Sequence, residues 1–258
     1  MNFSMRIIII KNNILIIIID YIIYMDYYIK YIKYKNKYIE LKNKLNINLI
    51  GGYNNKIESV NINLLKQVFP KPKNIKNFNY KKLQLTTEGL FSVSKVNAST
   101  ILVNLIKKYM NNNTNITITD ATSNNGSDTI NLALNFNKVN AIELDPINYK
   151  VLVNNINTYK LENINTYNKD SLNVLNKLDQ DIIYIDAPWG GSDYKLKKDI
   201  GLYMSNNEIS DIYNKFKDKC KIFIFKVPFN YNFNNFSHIK YIKKVNRGIK
   251  KPFYFLII

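Results

Sequence analysis

The chain has 258 residues and a net charge of +18, from 37 lysines and arginines against 19 aspartates and glutamates. The single cysteine, Cys220, excludes an internal disulfide and a multi-cysteine zinc site, and the single histidine, His238, leaves little room for a Ser-His-Asp hydrolase or a histidine-ligated metal. The length suits one α/β domain with an appendage, and the charge favours a polyanionic partner such as nucleic acid. The alternative is that AT-rich coding, which also enriches Ile, Asn and Tyr, has spread lysine evenly over the surface.

Residues 1–60 form a low-complexity extension rich in Ile, Tyr, Lys and Asn. Its most apolar run, Asn13 to Met25, is shorter than the ~20 residues of a transmembrane helix and has Asp20 at its centre. No small-residue cleavage site follows, so a signal peptide fits poorly. We therefore expect a helical extension of an intracellular protein, cytoplasmic or nuclear and including a viral protein in a host cell, rather than a secreted or membrane-anchored one. The basic Tyr/Lys stretch from Asp26 to Lys44 is either a surface for RNA or a solvated helical face.

Residues 61–93 are predicted to form a small helical N-terminal lobe and connector, and residues 94–258 the main domain. In the lobe, a short helix is followed by two prolines, which favour an extended connector. Ser94 is predicted to cap a helix from Lys95 to about Tyr109, because apolar residues recur there at helical spacing.

Strand and helix patterns then alternate along the main domain. Repeated strand–helix units predict a parallel sheet with helices on both faces. Two final apolar runs, separated by Asn246-Arg247-Gly248, predict a hairpin that adds an antiparallel edge. The predicted fold is thus α/β, with a mostly parallel seven-stranded sheet laid out as in Rossmann-like methyltransferases. The predicted strands are 116–120, 139–145, 163–168, 181–185, 221–227, 239–245 and 253–258, and the predicted helices between them are 129–136, 146–159 and 208–216.

Carboxylates follow the first three predicted strands at Asp120, Glu143 and Asp170. In open α/β sheets, ligands bind beyond the carboxyl ends of the strands. Glu143 follows Asp120 by 23 residues, a spacing at which a carboxylate accepts hydrogen bonds from the ribose hydroxyls of an adenosine. Asp170 is placed to meet the adenine amino group. Each carboxylate alone is equally consistent with a capping or solvated residue, but three in register predict a nucleoside cofactor.

The most informative segment follows the fourth predicted strand and reads Asp186-Ala187-Pro188-Trp189. It resembles the [Asp/Asn/Ser]-Pro-Pro-[Tyr/Trp] motif of methyltransferases that act on exocyclic or amide nitrogens. An aromatic amine is a poor nucleophile because its lone pair is delocalised into the ring. A side-chain oxygen of Asp186 and a backbone carbonyl of the turn can accept the two amine hydrogens and aim the nitrogen at a sulfonium methyl group, so that catalysis is mostly positioning and electrostatics. We call residues 186–189 the catalytic turn, with Asp186, Pro188 and Trp189 as its catalytic candidates; the alternative is a simple turn with a packed aromatic residue.

Several segments together resemble the trimethylguanosine synthase family of cap-specific guanine-N2 methyltransferases. Over roughly residues 80–258, the family patterns are matched as follows: Glu-Gly-x-Phe-Ser-Val by Glu88–Val93, Asp-x-x-x-Gly-x-Gly-Gly-Asn-Thr by Asp120–Thr129, acidic-x-Asp-Pro by Glu143–Pro146, Pro-Trp-Gly-Gly-x-Asp-Tyr by Pro188–Tyr194, and Pro-x-Asn by Pro228–Asn230. The resemblance implies a class I methyltransferase that uses S-adenosylmethionine, acts on the 7-methylguanosine cap of RNA and needs no metal. We expect it to act as a monomer.

The resemblance also implies roles for individual residues. Trp189 would stack on 7-methylguanine, whose positive charge adds a cation–π energy of about 1–2 kcal/mol, and the Phe-Ser-Val segment would help to close the cofactor and cap sites. With the strand-end carboxylates included, the expected cofactor-binding residues are Phe91, Ser92, Val93, Asp120, Thr122, Gly126, Thr129, Glu143, Leu144, Asp170 and Asp186, and the expected substrate-binding residues are Trp189, Asp193, Tyr194 and Asn230.

The chain departs from the family pattern at four positions. Asn124 and Ser127 stand where the family has glycine, and side chains there would narrow the approach to the methionine part of the cofactor. Ala187 replaces a proline of the turn but keeps its carbonyl. Asp186 stands where cellular cap enzymes have serine, in agreement with the wider Asp-Pro-Pro-Tyr group.

Two other functions stay open beside cap N2 methylation. One is an N2-guanine or N6-adenine methyltransferase that acts at internal positions of RNA or DNA, for which a 7-methyl group on the base brings no advantage. The other is a non-catalytic cap- or RNA-binding protein, which the altered glycine loop favours.

Overall fold

The computed structural model describes residues 55–236, 238–246 and 252–258, and the side chains of residues 192 and 193 are not part of that description. The predictions for residues 1–54 and for the hairpin turn at 247–248 lie outside the described residues. The described part belongs to one compact unit, Asn55–Ile258. Within it, no helix combines the length and apolar composition needed to cross a bilayer.

Strands and helices alternate along most of the described chain. The strands are β1 Ile57–Glu58, β2 Leu85–Thr86, β3 Thr117–Asp120, β4 Lys138–Glu143, β5 Ile164–Asn168, β6 Ile182–Ile185, β7 Tyr203–Met204, β8 Asn207–Glu208, β9 Ile222–Pro228, β10 Tyr241–Val245 and β11 Phe253–Ile257. The helices are α1 Ile62–Val68, α2 Gly89–Ser92, α3 Val96–Tyr109, α4 Ser127–Ala133, α5 Pro146–Tyr159 and α6 Ile209–Phe216.

Seven of these strands form one sheet in the order β10-β11-β9-β6-β3-β4-β5. The pairs from β9 to β5 are all parallel, and β11 runs antiparallel between β9 and β10. The carboxyl ends of β3, β4, β5, β6 and β9 therefore meet at one edge of the sheet. This arrangement confirms the predicted Rossmann-like class I methyltransferase fold.

Both faces of the sheet are buried under helices. On β6, Ile183 and Ile185 pack with α6 on one face, whereas Ile182 and Tyr184 pack with α3 on the other, as the two-residue period of a strand requires. Because neither face meets water, β6 and β9 are almost continuously apolar in sequence.

The segment that holds β1, α1 and β2 packs against the far half of the sheet. Leu65, Val68 and Leu85 share a buried cluster with Leu152 and Ile156 of α5. This contact brings the start of α2 to the carboxyl edge of β3 and β4, where the candidate site lies. The proposed domain boundaries at residues 60 and 93 stay a prediction.

Two helix starts differ in how well the sequence predicts them. Asp145 caps α5 as its side chain accepts hydrogen bonds from the amides of Ile147 and Asn148, with Pro146 in the first turn. The predicted cap of α3 is wrong: Lys95 is the N-cap and no side chain caps that helix. Ser94 instead turns its hydroxyl toward buried charges behind the sheet edge.

Gly126 precedes α4 with φ +90°, in the left-handed region that glycine enters without strain. A Cβ atom there would lie 2.7 Å from Cδ1 of Leu152. The position therefore needs glycine for two reasons, backbone conformation and the close packing of α5.

We predict that Gly126→Ala destabilises the fold more than Gly190→Ala does. Both glycines have φ near +90°, but a Cβ atom at Gly190 meets nothing within 4 Å. Gly190→Ala should cost only the left-handed strain of roughly 1–2 kcal/mol, and Gly126→Ala a further 1–3 kcal/mol or so for overpacking. Urea unfolding of the two variants measures the difference, and equal losses would contradict the packing argument.

Candidate active site

The loops after β3 and β6 are joined by direct hydrogen bonds. Thr122 accepts a bond at Oγ1 from the backbone N–H of Asp186 at 2.8 Å, and Ala121 N–H donates to the Tyr184 carbonyl at 2.9 Å. Asp120 closes the start of α4, since its Oδ2 accepts a hydrogen bond of 2.6 Å from the Thr129 hydroxyl. Four of the predicted residues are thus brought together: Asp120, Thr122, Thr129 and Asp186.

Burial perturbs the acidity of Asp120. The side chain is 1% exposed, and the loss of water raises its pKa to about 7, helped by the nearby negative charges of Asp128 and Asp186. The hydrogen bond from Thr129 works in the opposite direction. Burial therefore disfavours the ionised form of Asp120, and a bound cation would stabilise that form.

Glu143 lies at the end of β4 and is held by two backbone amides. The Asn124 N–H donates to Oε2 at 2.7 Å and the Asp145 N–H to Oε1 at 2.8 Å. Burial nevertheless raises the pKa of Glu143 to about 7, with a further contribution from the charge of Glu88. Each oxygen keeps a lone pair, so this carboxylate has the chemistry to accept the hydroxyls of a ribose.

Asn124 keeps the loop shape that a glycine would have at its position. Its φ is +47°, a conformation that asparagine adopts more readily than other side chains. Its side chain bonds within the loop and to α2, since Oδ1 accepts the Asn125 N–H at 2.8 Å and Nδ2 donates to the Ser92 hydroxyl at 2.9 Å. The substitution therefore links the cofactor loop to α2 and leaves the backbone turn in place.

Buried amides fasten the Glu88–Val93 segment to the same loop. Asn125, fully buried, accepts the Thr86 N–H at 2.8 Å and donates to Oδ1 of Asn148 at 3.2 Å. Asn148 also donates to Glu88 at 3.0 Å. A Cβ atom on Gly89 would lie 1.9 Å from Oδ1 of Asn125, so the glycine of the Glu-Gly pair is required by this contact.

The remaining cofactor candidates flank the loop. Val93 packs into the cluster beneath α2, whereas Phe91 and Leu144 are 81% and 63% exposed. Asp170 caps a short 3-10 turn by accepting the Leu172 N–H at 2.9 Å. The adjacent Ser171 hydroxyl donates to the Ala121 carbonyl, so the loop after β5 is fixed against the loop after β3.

Behind the catalytic turn lies a buried charge network, named here the Lys226 network: Ser94, Asp128, Tyr184, Asp186 and Lys226. The Lys226 Nζ lies 2.5 Å from Oδ2 of Asp186 and donates 2.8 Å to the Ser94 hydroxyl. Ser94 in turn donates 2.6 Å to Oδ2 of Asp128, which also accepts the Tyr184 hydroxyl at 3.0 Å. The network connects the lobe junction, α4, β6 and β9.

Burial raises the pKa of Asp186 to about 6, although Lys226 lowers it. The Trp189 indole N–H lies close enough to favour the ionised carboxylate as well, but it meets no acceptor with hydrogen-bond geometry. Within the described residues, no group donates to the second oxygen, Oδ1 of Asp186. One oxygen is thus held by lysine and the other is available to a ligand.

Trp189 is half-buried among aromatic rings beside this network. Tyr194 meets it edge-on with centroids 5.2 Å apart, and Phe253 lies 6.4 Å away. The Lys226 ammonium lies 5.6 Å from the indole centroid. The indole is therefore held in a fixed orientation before any ligand binds.

The other two substrate candidates differ in what the structure describes. Asn230 is buried and donates both amide hydrogens, to the carbonyls of Tyr194 and Lys197, at 2.8 Å each. It holds the exposed loop that follows the catalytic turn. The side chain of Asp193 lies outside the described residues.

Sequence reasoning missed Lys226, Asp128 and the buried amides. The available signal for Lys226 was a single charge inside an otherwise apolar strand, Ile222-Phe223-Ile224-Phe225-Lys226-Val227, because such a residue is buried and must find a partner. Asp128 lies in the first turn of α4, where an acidic side chain is common because it favours the positive end of the helix dipole. Its position therefore gave no sign of a role in the site. The paired asparagines had no comparable signal in a chain so rich in asparagine.

Reactive groups elsewhere do not join this site. Cys220 lies at the amino end of β9, beside a surface cleft that His238 also lines, and burial raises its thiol pKa to about 12. Across the described residues, no three His, Cys, Asp or Glu side chains are grouped so as to hold a metal ion.

Comparisons with known proteins agree with this chemistry. A family model described as "RNA cap guanine-N2 methyltransferase" matches residues 115–252. The "Uncharacterized protein L320" of Acanthamoeba polyphaga mimivirus is 34% identical over 126 residues, which cover 47% of this chain and 49% of that protein. The chain thus spans about half the length of this curated relative.

Solved structures of two methyltransferases are also similar in outline. Precorrin-6y C5,15-methyltransferase from Geobacter metallireducens is 11% identical with a TM-score of 0.47, over 65% of this chain and 90% of that one. The tRNA m1G37 methyltransferase of M. jannaschii is 14% identical with a TM-score of 0.45, over 68% and 53% of the two chains.

We predict that Asp120→Asn gains stability relative to the wild type as pH rises. The folded pKa of Asp120, about 7, exceeds its ordinary value of 3.8, so its stabilising contribution is complete below about pH 4 and is lost as pH rises through 7. Removing the carboxyl should therefore raise the free energy of unfolding relative to wild type, by roughly 2–4 kcal/mol more at pH 8 than at pH 5. Urea unfolding at both pH values measures this, and Asp199→Asn, the same charge change on an exposed side chain, is the control. A constant difference across pH would show that Asp120 is ionised throughout.

Proposed function

This chain belongs to the RNA cap guanine-N2 methyltransferase family, and we propose that it transfers a methyl group from S-adenosylmethionine to the exocyclic N2 of 7-methylguanosine in capped RNA. The observation that carries the proposal is the catalytic turn. Asp186 presents one unbonded carboxylate oxygen next to the only tryptophan of the chain, at the sheet edge where the cofactor loops converge.

The residues at the ends of β3 and β4 fit an adenosine cofactor. Glu143 is fixed by two backbone amides and keeps lone pairs for ribose hydroxyls. Asn124 and Gly126 both have positive φ, so the backbone turns tightly before α4, and the side chain of Ser127, the first residue of α4, is buried. Exposed Phe91 and Leu144 flank the loop with apolar surface of the kind that covers an adenine ring. S-adenosylmethionine supplies an electrophilic methyl group on a sulfonium centre.

The site chemistry also suits two cationic partners. The sulfonium is positive, and so is 7-methylguanosine. Asp120, Asp128 and Asp186 are buried near one another with Lys226 as the one ammonium among them. An excess of carboxylates in a poorly hydrated site favours cations, and positive ligands would lower the raised pKa values of Asp120 and Asp186 in return.

Asp186 has the geometry to direct the amine. With Oδ2 bound to Lys226, Oδ1 accepts one N2 hydrogen, and a backbone carbonyl of the catalytic turn accepts the other. The nitrogen lone pair would then point at the methyl group that S-adenosylmethionine supplies. The N–C bond would form as the S–C bond breaks, and the N2 proton would pass to solvent. Positioning and a matched charge are the main contributions of this chain to the rate.

Trp189 supplies the base platform in this proposal. Its ring is held edge-on by Tyr194 and approached by Lys226, so the indole is oriented before the base arrives. The Lys226 ammonium competes electrostatically with a second cation on the same ring, which makes the Asp186 carboxylate beside it important for neutralising that repulsion. The proposed partner is capped RNA inside a cell.

The alternatives are separated by substrate and by cofactor binding. A methyltransferase of internal RNA or DNA positions has no requirement for the 7-methyl group. A non-catalytic cap-binding protein would not bind the cofactor. The left-handed backbone of Asn124, which a glycine would also adopt, does not favour this alternative.

We predict that Glu143→Gln weakens S-adenosylmethionine binding by about 10- to 100-fold. Loss of the charge removes charge-assisted hydrogen bonds to the ribose, each of roughly 1.5–3 kcal/mol. Isothermal titration calorimetry measures the dissociation constant, with Glu162→Gln on an exposed side chain as the control. Unchanged affinity in Glu143→Gln would place the ribose elsewhere.

We predict methyl transfer to a 7-methylated cap dinucleotide and little to the unmethylated one. Trp189→Ala should raise the KM for the cap by about 10- to 100-fold through lost stacking, and Asp186→Ala should lower kcat by about 100-fold or more. Radiolabel transfer from S-adenosylmethionine, with nucleoside digestion to locate the methyl group on N2, is the measurement. Tyr203→Ala, an exposed aromatic residue on β7, is the control.

The outcomes of this assay discriminate the readings. Equal transfer to both dinucleotides would point to another guanine substrate. A methyl group on an adenine of longer RNA or DNA would point to an N6-adenine enzyme. Absence of both transfer and cofactor binding would establish a binding protein and refute the proposed activity.

A further inference from the structure

Lys226 is the one charged residue of β9 and one of the least exposed ionisable groups described. Its side chain is 7% exposed, between Phe225 and Val227 in a strand that is buried throughout. A buried ammonium is costly unless it is paired and hydrogen-bonded. The groups that Lys226 contacts therefore indicate its role.

We propose that Lys226 is a positioning residue of the catalytic turn: its ammonium holds Asp186 by Oδ2 and keeps it a carboxylate, so that Oδ1 faces the substrate amine as an acceptor. This inference rests on the proposed function, because it assigns how the acceptor of that reaction is oriented and charged.

The geometry leaves the ammonium no freedom. A lysine ammonium has three N–H donors. Two of them are bonded: Nζ lies 2.5 Å from Oδ2 of Asp186 and 2.8 Å from the Ser94 hydroxyl oxygen. On its remaining side, the ammonium lies 5.6 Å from the Trp189 ring centroid and 5.5 Å from that of Phe253. Lys226 thus fixes the Asp186 rotamer from behind while the aromatic rings block any other partner.

Ser94 makes the arrangement more than a simple ion pair. Its hydroxyl accepts from Lys226 and donates to Asp128 at 2.6 Å. Because the hydroxyl proton is committed to Asp128, the serine oxygen is turned with its lone pairs toward the ammonium. The Ser94 backbone lies between α2 and α3, so the lobe junction helps to set the direction of Lys226.

Electrostatics give Lys226 a measurable effect on Asp186. The ionisable groups around the pair are Asp120, Asp128, Tyr184 and Tyr194, besides Lys226 itself. Burial and the Asp128 charge raise the pKa of Asp186, and Lys226 opposes them. Without the ammonium, only the nearby Trp189 N–H favours the ionised form, and Asp186 would take up a proton at a higher pH. A protonated Asp186 could donate a hydrogen where the amine also donates.

The first test reads the pair without any substrate. Trp189 is the only tryptophan and lies beside Lys226 and Asp186, so its fluorescence should titrate with a midpoint near pH 6, the pKa of Asp186. We expect Lys226→Met to move this midpoint to higher pH. The control is Lys221→Met, which breaks the exposed Lys221–Asp181 pair (2.7 Å) next to the same strand and should leave the midpoint in place.

The second test measures kcat as a function of pH. Activity requires ionised Asp186, so the wild-type kcat should fall as pH drops through about 6. In Lys226→Met the fall should shift to higher pH, with about 10-fold or more lost near neutrality and partial recovery in alkali, while the affinity for S-adenosylmethionine changes little. A merely structural lysine would lower stability without shifting either pH profile.

A double-mutant cycle keeps the test valid if Lys226→Met folds poorly. Asp186→Asn alone leaves the ammonium buried without its counterion, whereas Asp186→Asn with Lys226→Met is neutral and retains a side-chain acceptor. Replacing a buried ion pair by neutral groups is tolerated better than removing one partner. We therefore expect the double variant to be more stable than Asp186→Asn alone but to have no higher kcat, because the ammonium that positions residue 186 is absent.

The outcomes separate this inference from the proposed function. A midpoint and pH profile unmoved by Lys226→Met, or a double variant with a higher kcat than Asp186→Asn, would overturn the positioning role even in an active cap methyltransferase. If the wild type transfers no methyl group to any cap, the proposed function fails, and a shifted fluorescence midpoint would still support control of Asp186 by Lys226.

Discussion

The candidate active site depends on an ion pair that water hardly reaches. Lys226 and Asp186 face each other across β9 and β6, with side chains 7% and 17% exposed. Removing either partner would leave a charge stranded in a poorly polarisable interior. The pair therefore holds the catalytic turn, the end of β9 and, through Ser94, the start of α3 in one arrangement. Asp120 and Asp128 lie close enough to affect Asp186, so the acidity of the whole cluster is set jointly.

A second network, made of side-chain amides, a threonine and the Glu88 carboxylate, holds α2 against the loop after β3. Thr86, Asn125, Asn148 and Glu88 are linked by hydrogen bonds, and Gly89 provides the space for Asn125. Leaving a buried amide without partners is costly, so the hydrogen bonds of this network fix α2 against the glycine-poor loop. In the proposed reaction, the charged network would position the acceptor Asp186, and the amide network would position the loop after β3 and the segment that would close over the cofactor. The two meet at residues 92–94, where Ser92 contacts Asn124 and Ser94 contacts Lys226.

These networks give two of the four departures from the family pattern a physical reason. Asn124 takes the left-handed conformation of a glycine and uses its amide to hold Ser92. Asp186 in place of serine brings a negative charge into a buried site, and Lys226 compensates it. In both cases a residue that looks unfavourable in isolation has a partner that makes it tolerable. Whether a loop of this kind binds the cofactor is therefore a question about its hydrogen bonds more than about its glycine count.

The sequence was sufficient to predict the seven-stranded α/β fold and the placement of Asp120, Glu143 and Asp186 at the carboxyl ends of its strands. Those features follow from short-range patterns: strand and helix periodicity, and the rule that ligands bind beyond the carboxyl ends of parallel strands. It was not sufficient to predict that Ser94 does not cap α3, or that Lys226 pairs with Asp186. Lys226 is separated from Asp186 by 40 residues and from Ser94 by 132, and only the packing of β9 beside β6 and beneath the lobe junction brings them together. The tertiary structure also determines the acidity of the site. The pKa values of Asp120, Glu143 and Asp186 are raised because burial removes water from them, and no local pattern of residues specifies that burial.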